Sequence, residues 1–295
     1  MHIYYWSSNN LGDLFNIYLG LQNGFTSFRH ISDGSSANND GIFMIGSVLS
    51  LIANNNIIMG AGYKTSTNIL SISKLANNKF VYVRGKYTAG LIGTEHNVLH
   101  FEPGLLLTKY VKSTDVRTNR FLFLSHYDQE AYLRSTNISN IESMRFSAND
   151  YRKIISNTPY TNIIEIKKIF EAKLSILTET DLIASSSLHG LVFAIALNKP
   201  FIWYTIVDEK TEPIFKFNDF FSLFELNVER LDICKSKLLC YADELTKLVS
   251  LPKDDYGNFV YDGELRKYIH YINPKVYESE MELFLSKLRE YAPQN

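Results

Sequence analysis

Several short stretches of this 295-residue chain combine residue types that can bind or turn over a small anion. The densest is Ser185–Ser186–Ser187–Leu188–His189–Gly190. Its hydroxyls precede an apolar run with helical spacing, Leu191, Val192, Ile195 and Leu197. A hydroxyl there accepts from an unpaired N–H of the first helical turn. The positive end of a helix is also an anion site, so His189 in that turn can bind or protonate an anionic substrate. The competing reading is a capped helix with a partly buried histidine. Arg84 and Lys86, in Val83–Arg84–Gly85–Lys86, offer a planar fork and a point charge for carboxylate or phosphate; the competing reading is ordinary surface charge. His126 stands at the end of the apolar run Phe123–Ser125. Asn10 and Asp13 lie between apolar His2–Trp6 and the helix-spaced Leu14, Ile17, Tyr18 and Leu21. Asp13 is there either a base facing substrate or the N-cap of the helix.

Each of these stretches needs a strand end to hold it. Apolar strands are expected at His2–Trp6, Phe25–Ser32, Gly41–Ile45, Ile57–Met59, Phe80–Val83 and Val98–Phe101, with helices near Ser47–Ala53 and Tyr87–Leu91. The polar stretch Lys109–Asn119 reads as a linker. A second array follows: strands Arg120–Ser125, Ile163–Ile166, Asp181–Ala184 and Phe201–Tyr204, with helices Ser147–Ile155 and Ile169–Thr178. Phe215–Phe224 is aromatic yet carries Lys216 and Asp219, and reads as a packed loop or short helix. Val228–Val249 and Val276–Tyr291 read as amphipathic helices. This order predicts an α/β protein of two Rossmann-like, doubly wound domains facing across a cleft, residues 1–112 and 119–295. The candidate residues then sit where open parallel sheets bind ligands, at the carboxyl ends of strands.

Composition excludes several classes. Lysine and arginine total 30 against 31 acids, so no polyanion-binding footprint exists and nucleic acid is not an expected partner. No apolar run reaches the ~20 residues of a membrane span, and the first residues lack the basic and apolar regions of a signal peptide. Cys234 and Cys240 are expected as buried free thiols rather than a bridge, and the cytoplasm is the expected compartment. Gly60–Ala61–Gly62 lacks the third glycine of a dinucleotide fingerprint, and the next strand ends at Arg84 rather than an acid, so no NAD site is expected. His96 and His100 have i, i+4 spacing, but on a strand they stand ~13 Å apart, so no metal is expected.

The chain resembles the polysaccharide pyruvyl transferases. The resemblance rests on S-S-S-L-H-G-L-V-F-A-I-A-L-N-K-P-F-I-W, similar to the family's S-x-[RS]-x-H-G segment. Further pieces follow the family's order: Asn10–Asp13, Gly46–Leu49, Gly60–Gly62, Val83–Lys86, Phe101–Gly104 and Phe123–Tyr127. It implies a GT-B-like pair of domains and transfer of pyruvate from phosphoenolpyruvate to two hydroxyls of a hexose, making a cyclic ketal, commonly 4,6. The acceptor would be a surface polysaccharide or its lipid-linked precursor, met peripherally at the inner membrane face. No cofactor is implied beyond the donor. Arg84 and Lys86 would hold donor charge, with Ser185, Ser186, Ser187, Gly190 and Gly62 lining its site. His189 would be the acid or phosphate partner. His126 would bind donor or act as a further acid or base, and Asn10 and Asp13 would face the acceptor. Many members carry Arg where this chain has Ser187; either Arg120 or Arg145 replaces it, or the chain belongs to a branch with Ser there. Two other functions stay open: a nucleotide-sugar glycosyltransferase using Glu165 or Asp181 as its ribose acid, and a non-catalytic glycan- or phosphate-binding module.

Overall fold

A computed structural model of the chain describes residues 1–6, 8–31, 40–93, 97–111, 118–156, 163–207, 209, 211–254 and 258–293. Two parallel sheets dominate. The first has strand order β2-β1-β3-β4-β5-β6, from β1 (His2–Trp6), β2 (Phe28–Ile31), β3 (Gly41–Phe43), β4 (Ile57–Met59), β5 (Lys79–Val83) and β6 (Leu99–His100). The second has order β11-β10-β9-β7-β8, from β7 (Phe121–Ser125), β8 (Ile141–Ser143), β9 (Leu182–Ser185), β10 (Phe201–Ile206) and β11 (Leu231–Ile233). Every residue of β3, β7, β9 and β10 is buried. Strands covered on both faces must be apolar runs rather than alternations.

The α/β class and the two doubly wound sheets follow the sequence reading. In the first sheet β1 has β2 on one side and β3 on the other; in the second β7 lies between β8 and β9. Those are the switch points of the two sheets, where successive crossovers leave in opposite directions and open a crevice.

Some elements differ from expectation. Ile163–Thr178 is one helix, α7, rather than a strand and a helix: Ile166, Phe170, Leu174 and Leu177 are buried at helical spacing. Leu231 and Ile233 bury alternately as β11, parallel to β10, so the helix that follows, α10 (Leu238–Val249), is shorter than the pattern predicts. Cys234 and Cys240 are exposed free thiols, because Leu238, Ala242, Leu245 and Leu248 take the buried positions. The helix expected over Ser47–Ala53 is a short 3-10 turn, Leu49–Leu51. Most of the expected linker and His96 lie outside the described residues.

The two halves share apolar contacts. Helix α1 (Leu11–Gln22) of the first half lies against α7 and α8 (Leu188–Ala196) of the second. Phe15 meets Phe193 edge-on at 5.2 Å, and Tyr18 meets Phe170 at 5.2 Å. Backbone bonds add to this contact: Leu11 N–H donates to Met144 at 2.6 Å, and Phe146 N–H to Asn9 at 2.8 Å. The C-terminal helix α11 (Glu278–Arg289) follows the second sheet in sequence but packs on the first, with Phe284 5.1 Å from Tyr82 and 5.0 Å from Phe101.

Candidate active site

A cleft of about 400 Å³ opens where the switch points of the two sheets face each other. Its first wall begins at the end of β1. Asn10 is the N-cap of α1: its Oδ1 accepts from the Gly12 N–H at 2.8 Å. That settles the capping question, since Asp13 then falls in the first turn and lines the cleft. Ser8 Oγ donates to Asp13 Oδ2 at 2.7 Å. Burial raises the Asp13 carboxyl to about 6, against the opposing pull of the Ser8 bond and of Lys216 and Lys64. Ser47, after β3, lines the same wall.

The second wall is built at the ends of β7 and β9. Ser185 Oγ lies 3.0 Å from the carbonyls of Leu124 and Ser187 and accepts from the Ser187 N–H. Ser186 Oγ accepts from the His126 N–H at 2.9 Å. Their hydroxyls therefore brace the turn, and only Ser187, the N-cap of α8, lines the cleft. His189 lines it too, with its imbedded imidazole so close to Gly12 that a Cβ there would overlap the ring. Nε2 of His189 is buried and has no hydrogen-bond partner among the described residues. Burial, then the charges of Lys216 and Arg84, lowers its pKa to about 3, so the ring is neutral at physiological pH. His126 caps α5 (Tyr127–Arg134), accepting from the Asp128 N–H through Nδ1 at 3.4 Å. Its Nε2 lies 3.3 Å from Glu212.

Three charged residues of the cleft were not read from the sequence as site residues: Lys64, Glu212 and Lys216. Glu212 precedes α9 (Ile214–Phe221) and pairs with Lys216 one turn on; Lys64 approaches from the first half, 3.8 Å away. Burial, with Arg84 and Lys64 adding to it, pushes the Lys216 ammonium well below the usual lysine range. The signal available in the sequence was a charged pair inside an aromatic segment, because lysine is almost never buried without a partner.

Other expected site residues sit elsewhere. Arg84 is fully buried behind the wall. It donates through Nε to Asp219 at 2.9 Å, through Nη1 to Ser47 at 2.7 Å, and to the Tyr63 carbonyl. It holds the wall and presents no free fork to a ligand. Lys86 pairs at the surface with Glu225, 2.7 Å away. Gly62 is small because a Cβ would press on the Arg84 guanidinium at 2.6 Å, and Gly190 because one would strike Ser185 and Leu124. Arg120 pairs with Glu179 at 3.8 Å, while Arg145 covers the Tyr127 ring at 5.2 Å; neither lines the cleft. Glu165 and Asp181 pair with Lys153 and Lys253 away from it.

His126, Asp128 and Glu212 offer ligand atoms within 4.8 Å of one another. The ammonium groups against Glu212 make this a poor place for a dication, and we read it as an ion-pair network.

The family model for polysaccharide pyruvyl transferases matches residues 2–208. The chain belongs to that family. A comparison with curated proteins returns no match. Among solved structures it is similar to an uncharacterised protein of Klebsiella pneumoniae, at 15% identity over 77% of this chain and 89% of that one, TM-score 0.41. It is also similar to the wall teichoic acid polymerase TagF, at 9% identity over 100% of this chain and 90% of that one, TM-score 0.41.

In this polysaccharide pyruvyl transferase the recurring motifs have physical reasons. The glycine of N-x-G-D admits the His189 ring, and Gly85 of V-R-G admits the Asp219 backbone. Glu102, in the Phe101–Gly104 piece, caps its turn: Oε1 accepts from the Gly104 N–H at 3.1 Å. The two basic groups missing from motif reading, Lys64 and Lys216, line the same cleft as Ser187.

Proposed function

We propose that the cleft transfers pyruvate from phosphoenolpyruvate to two hydroxyls of a hexose in a surface polysaccharide or its lipid-linked precursor, forming a cyclic ketal, 4,6 in the commonest case, and releasing phosphate. The supporting observation is convergence: Asp13 from one switch point and His189 from the other line one cleft that also holds Lys64 and Lys216.

The donor's carboxylate and phosphate need cationic partners, which Lys216 and Lys64 provide with the N–H groups at the start of α8. A bound dianion favours the charged form of nearby imidazole. His189, neutral in the free protein, thus gains its proton when donor is present and delivers it to C3, leaving C2 electrophilic. One sugar hydroxyl attacks C2 while Asp13 takes its proton; the C2–O bond to phosphate breaks; the second hydroxyl closes the ring. Of the two hydroxyl protons, one restores that given to C3 and the other leaves on phosphate. His126, beside Glu212, helps hold the donor, and Asn10 orders the acceptor loop. A lipid-linked acceptor would be met at the inner membrane face by a cytoplasmic enzyme; no helix among the described residues is long and apolar enough to cross a membrane.

The test is incubation with phosphoenolpyruvate and a panel of hexosides. The expected product is heavier by one pyruvic acid less one water, with phosphate released. His189→Ala and Asp13→Asn should each lower turnover by about a hundredfold or more. Full activity in either variant removes that residue. Thermal stabilisation by UDP or GDP but not phosphoenolpyruvate would favour the glycosyltransferase reading instead.

A further inference from the structure

The carboxylate of Glu212 sits inside the cleft with its side chain only 7% exposed. Basic groups surround it from both halves of the molecule. Lys216 Nζ pairs with Oε2, while His126 Nε2 and Lys64 Nζ lie 3.3 Å and 3.8 Å from Oε1. On the same cleft, the buried Nε2 of His189 has no hydrogen-bond partner among the described residues. A pocket that gathers two ammonium groups and an imidazole around one carboxylate is an anion site already filled by a side chain of the same protein. The His189 Nε2, on the same cleft, marks hydrogen-bonding capacity that Glu212 does not use.

We infer that Glu212 is the resident counter-anion of the donor site, holding the place that a carboxylate or phosphate of the incoming donor takes, and that binding requires Glu212 to give up Lys216 and Lys64. This rests on the donor site proposed above. Glu212 is suited to the exchange by its position. It lies outside β10 and α9, just before the capping Pro213, so its side chain can turn without disturbing either element. Its place in the cleft also gives selectivity. A monoanion only matches what Glu212 already supplies, whereas a dianion engages both lysines and Nε2 of His189 and so displaces it.

Isothermal titration of inorganic phosphate and of phosphoenolpyruvate into wild type, Glu212→Gln and Lys64→Met separates the possibilities. Removing the internal competitor should tighten both anions about tenfold in Glu212→Gln. Lys64→Met, at a half-exposed position, should weaken both severalfold. Equal or weaker phosphate binding by Glu212→Gln overturns the inference and makes Glu212 a positioning residue for Lys216. Should Glu212→Gln fail to fold, unchanged phosphate binding by Lys64→Met overturns it equally. Wild-type binding of Mn²⁺ that Glu212→Gln abolishes would overturn it in favour of a metal held by His126, Asp128 and Glu212. The phosphate arm needs no turnover. Tightened phosphate binding with no pyruvate transferred to any hexoside upholds the counter-anion and removes the reaction instead.

Discussion

At the scale of single residues, burial shifts both the acid and the imidazole of the cleft toward their neutral forms. Asp13 holds a proton up to about pH 6, while His189 stays neutral far below that. Asp13 serves as a base only when ionised, so kcat/KM, which reports the free enzyme, should rise with pH through about 6. Stability should move the other way. Burial raises this carboxyl above its ordinary 3.8, so the cost of ionising it is absent below that value and grows as pH climbs to about 6. A pH–rate profile and melting temperatures over the same window measure both slopes, and Asp13→Asn should flatten both. A rate profile that keeps its acid limb in Asp13→Asn would assign the limb to another group. Gly12 is the second sensitive position. Alanine there forces the His189 ring aside, since the overlap is with the imidazole itself. We expect Gly12→Ala to lose turnover at least as severely as it loses stability, with a stability cost of about 1–3 kcal/mol by urea titration.

At the scale of elements, α9 decides how the cleft is held. Its aromatic face stays with its own sheet, Phe217 stacking on Trp203 at 4.7 Å. Its polar face crosses to the first half, where Asp219 takes Arg84 at 2.9 Å and accepts from the Thr88 N–H and hydroxyl at 2.7 Å each. Both charges are fully buried. Removing one partner strands the other, so Arg84→Met should cost about 3–5 kcal/mol in urea titration, and Asp219→Leu a similar amount. The double variant should recover part of the loss, because neither charge is then left alone. Arg84 is thus a clasp between elements, which strand-end position alone does not distinguish from an anion ligand. The same limit explains what the sequence told and withheld. Strand ends followed by polar turns located Asn10, Asp13, His126, Ser187 and His189, because a parallel sheet leaves those ends facing the crevice. Hydroxyls and glycines inside the same turns served the turn's own bracing, and spacing carries no sign of which way a side chain points. Lys64, Glu212 and Lys216 belong to no recurring pattern; of the three, only Lys216 is legible, as a charge set among aromatics and therefore buried. Leu231–Ile233 and Ile163–Ile166 misled because a few apolar residues fit a strand or a helix equally, and only the neighbour they pack against decides.

At the scale of the whole molecule, the cleft is a local opening between sheets that are otherwise joined. One apolar cluster runs from Ile3 and Phe15 in the first half to Phe170 and Phe193 in the second. The chain then returns: α11 carries Phe284 onto Tyr82 and Phe101, and Lys109 of the first half pairs with Glu278 and Glu282 of that helix. Parting the halves would expose this cluster to water at roughly 25 cal/mol for each Å². Neither half can lose its structure without uncovering the other's core. Calorimetry should therefore give one transition with matching calorimetric and van't Hoff enthalpies, despite two sheets and two switch points. Phosphoenolpyruvate should raise the midpoint of that single transition, because the site proposed for it draws on both halves. Phe193→Ala, which empties the contact with Phe15, should lower the midpoint and split the transition if the shared core is what couples the sheets. Two transitions in the wild type, only one of them moved by the donor, would mean that the sheets fold apart and that the site belongs to one of them.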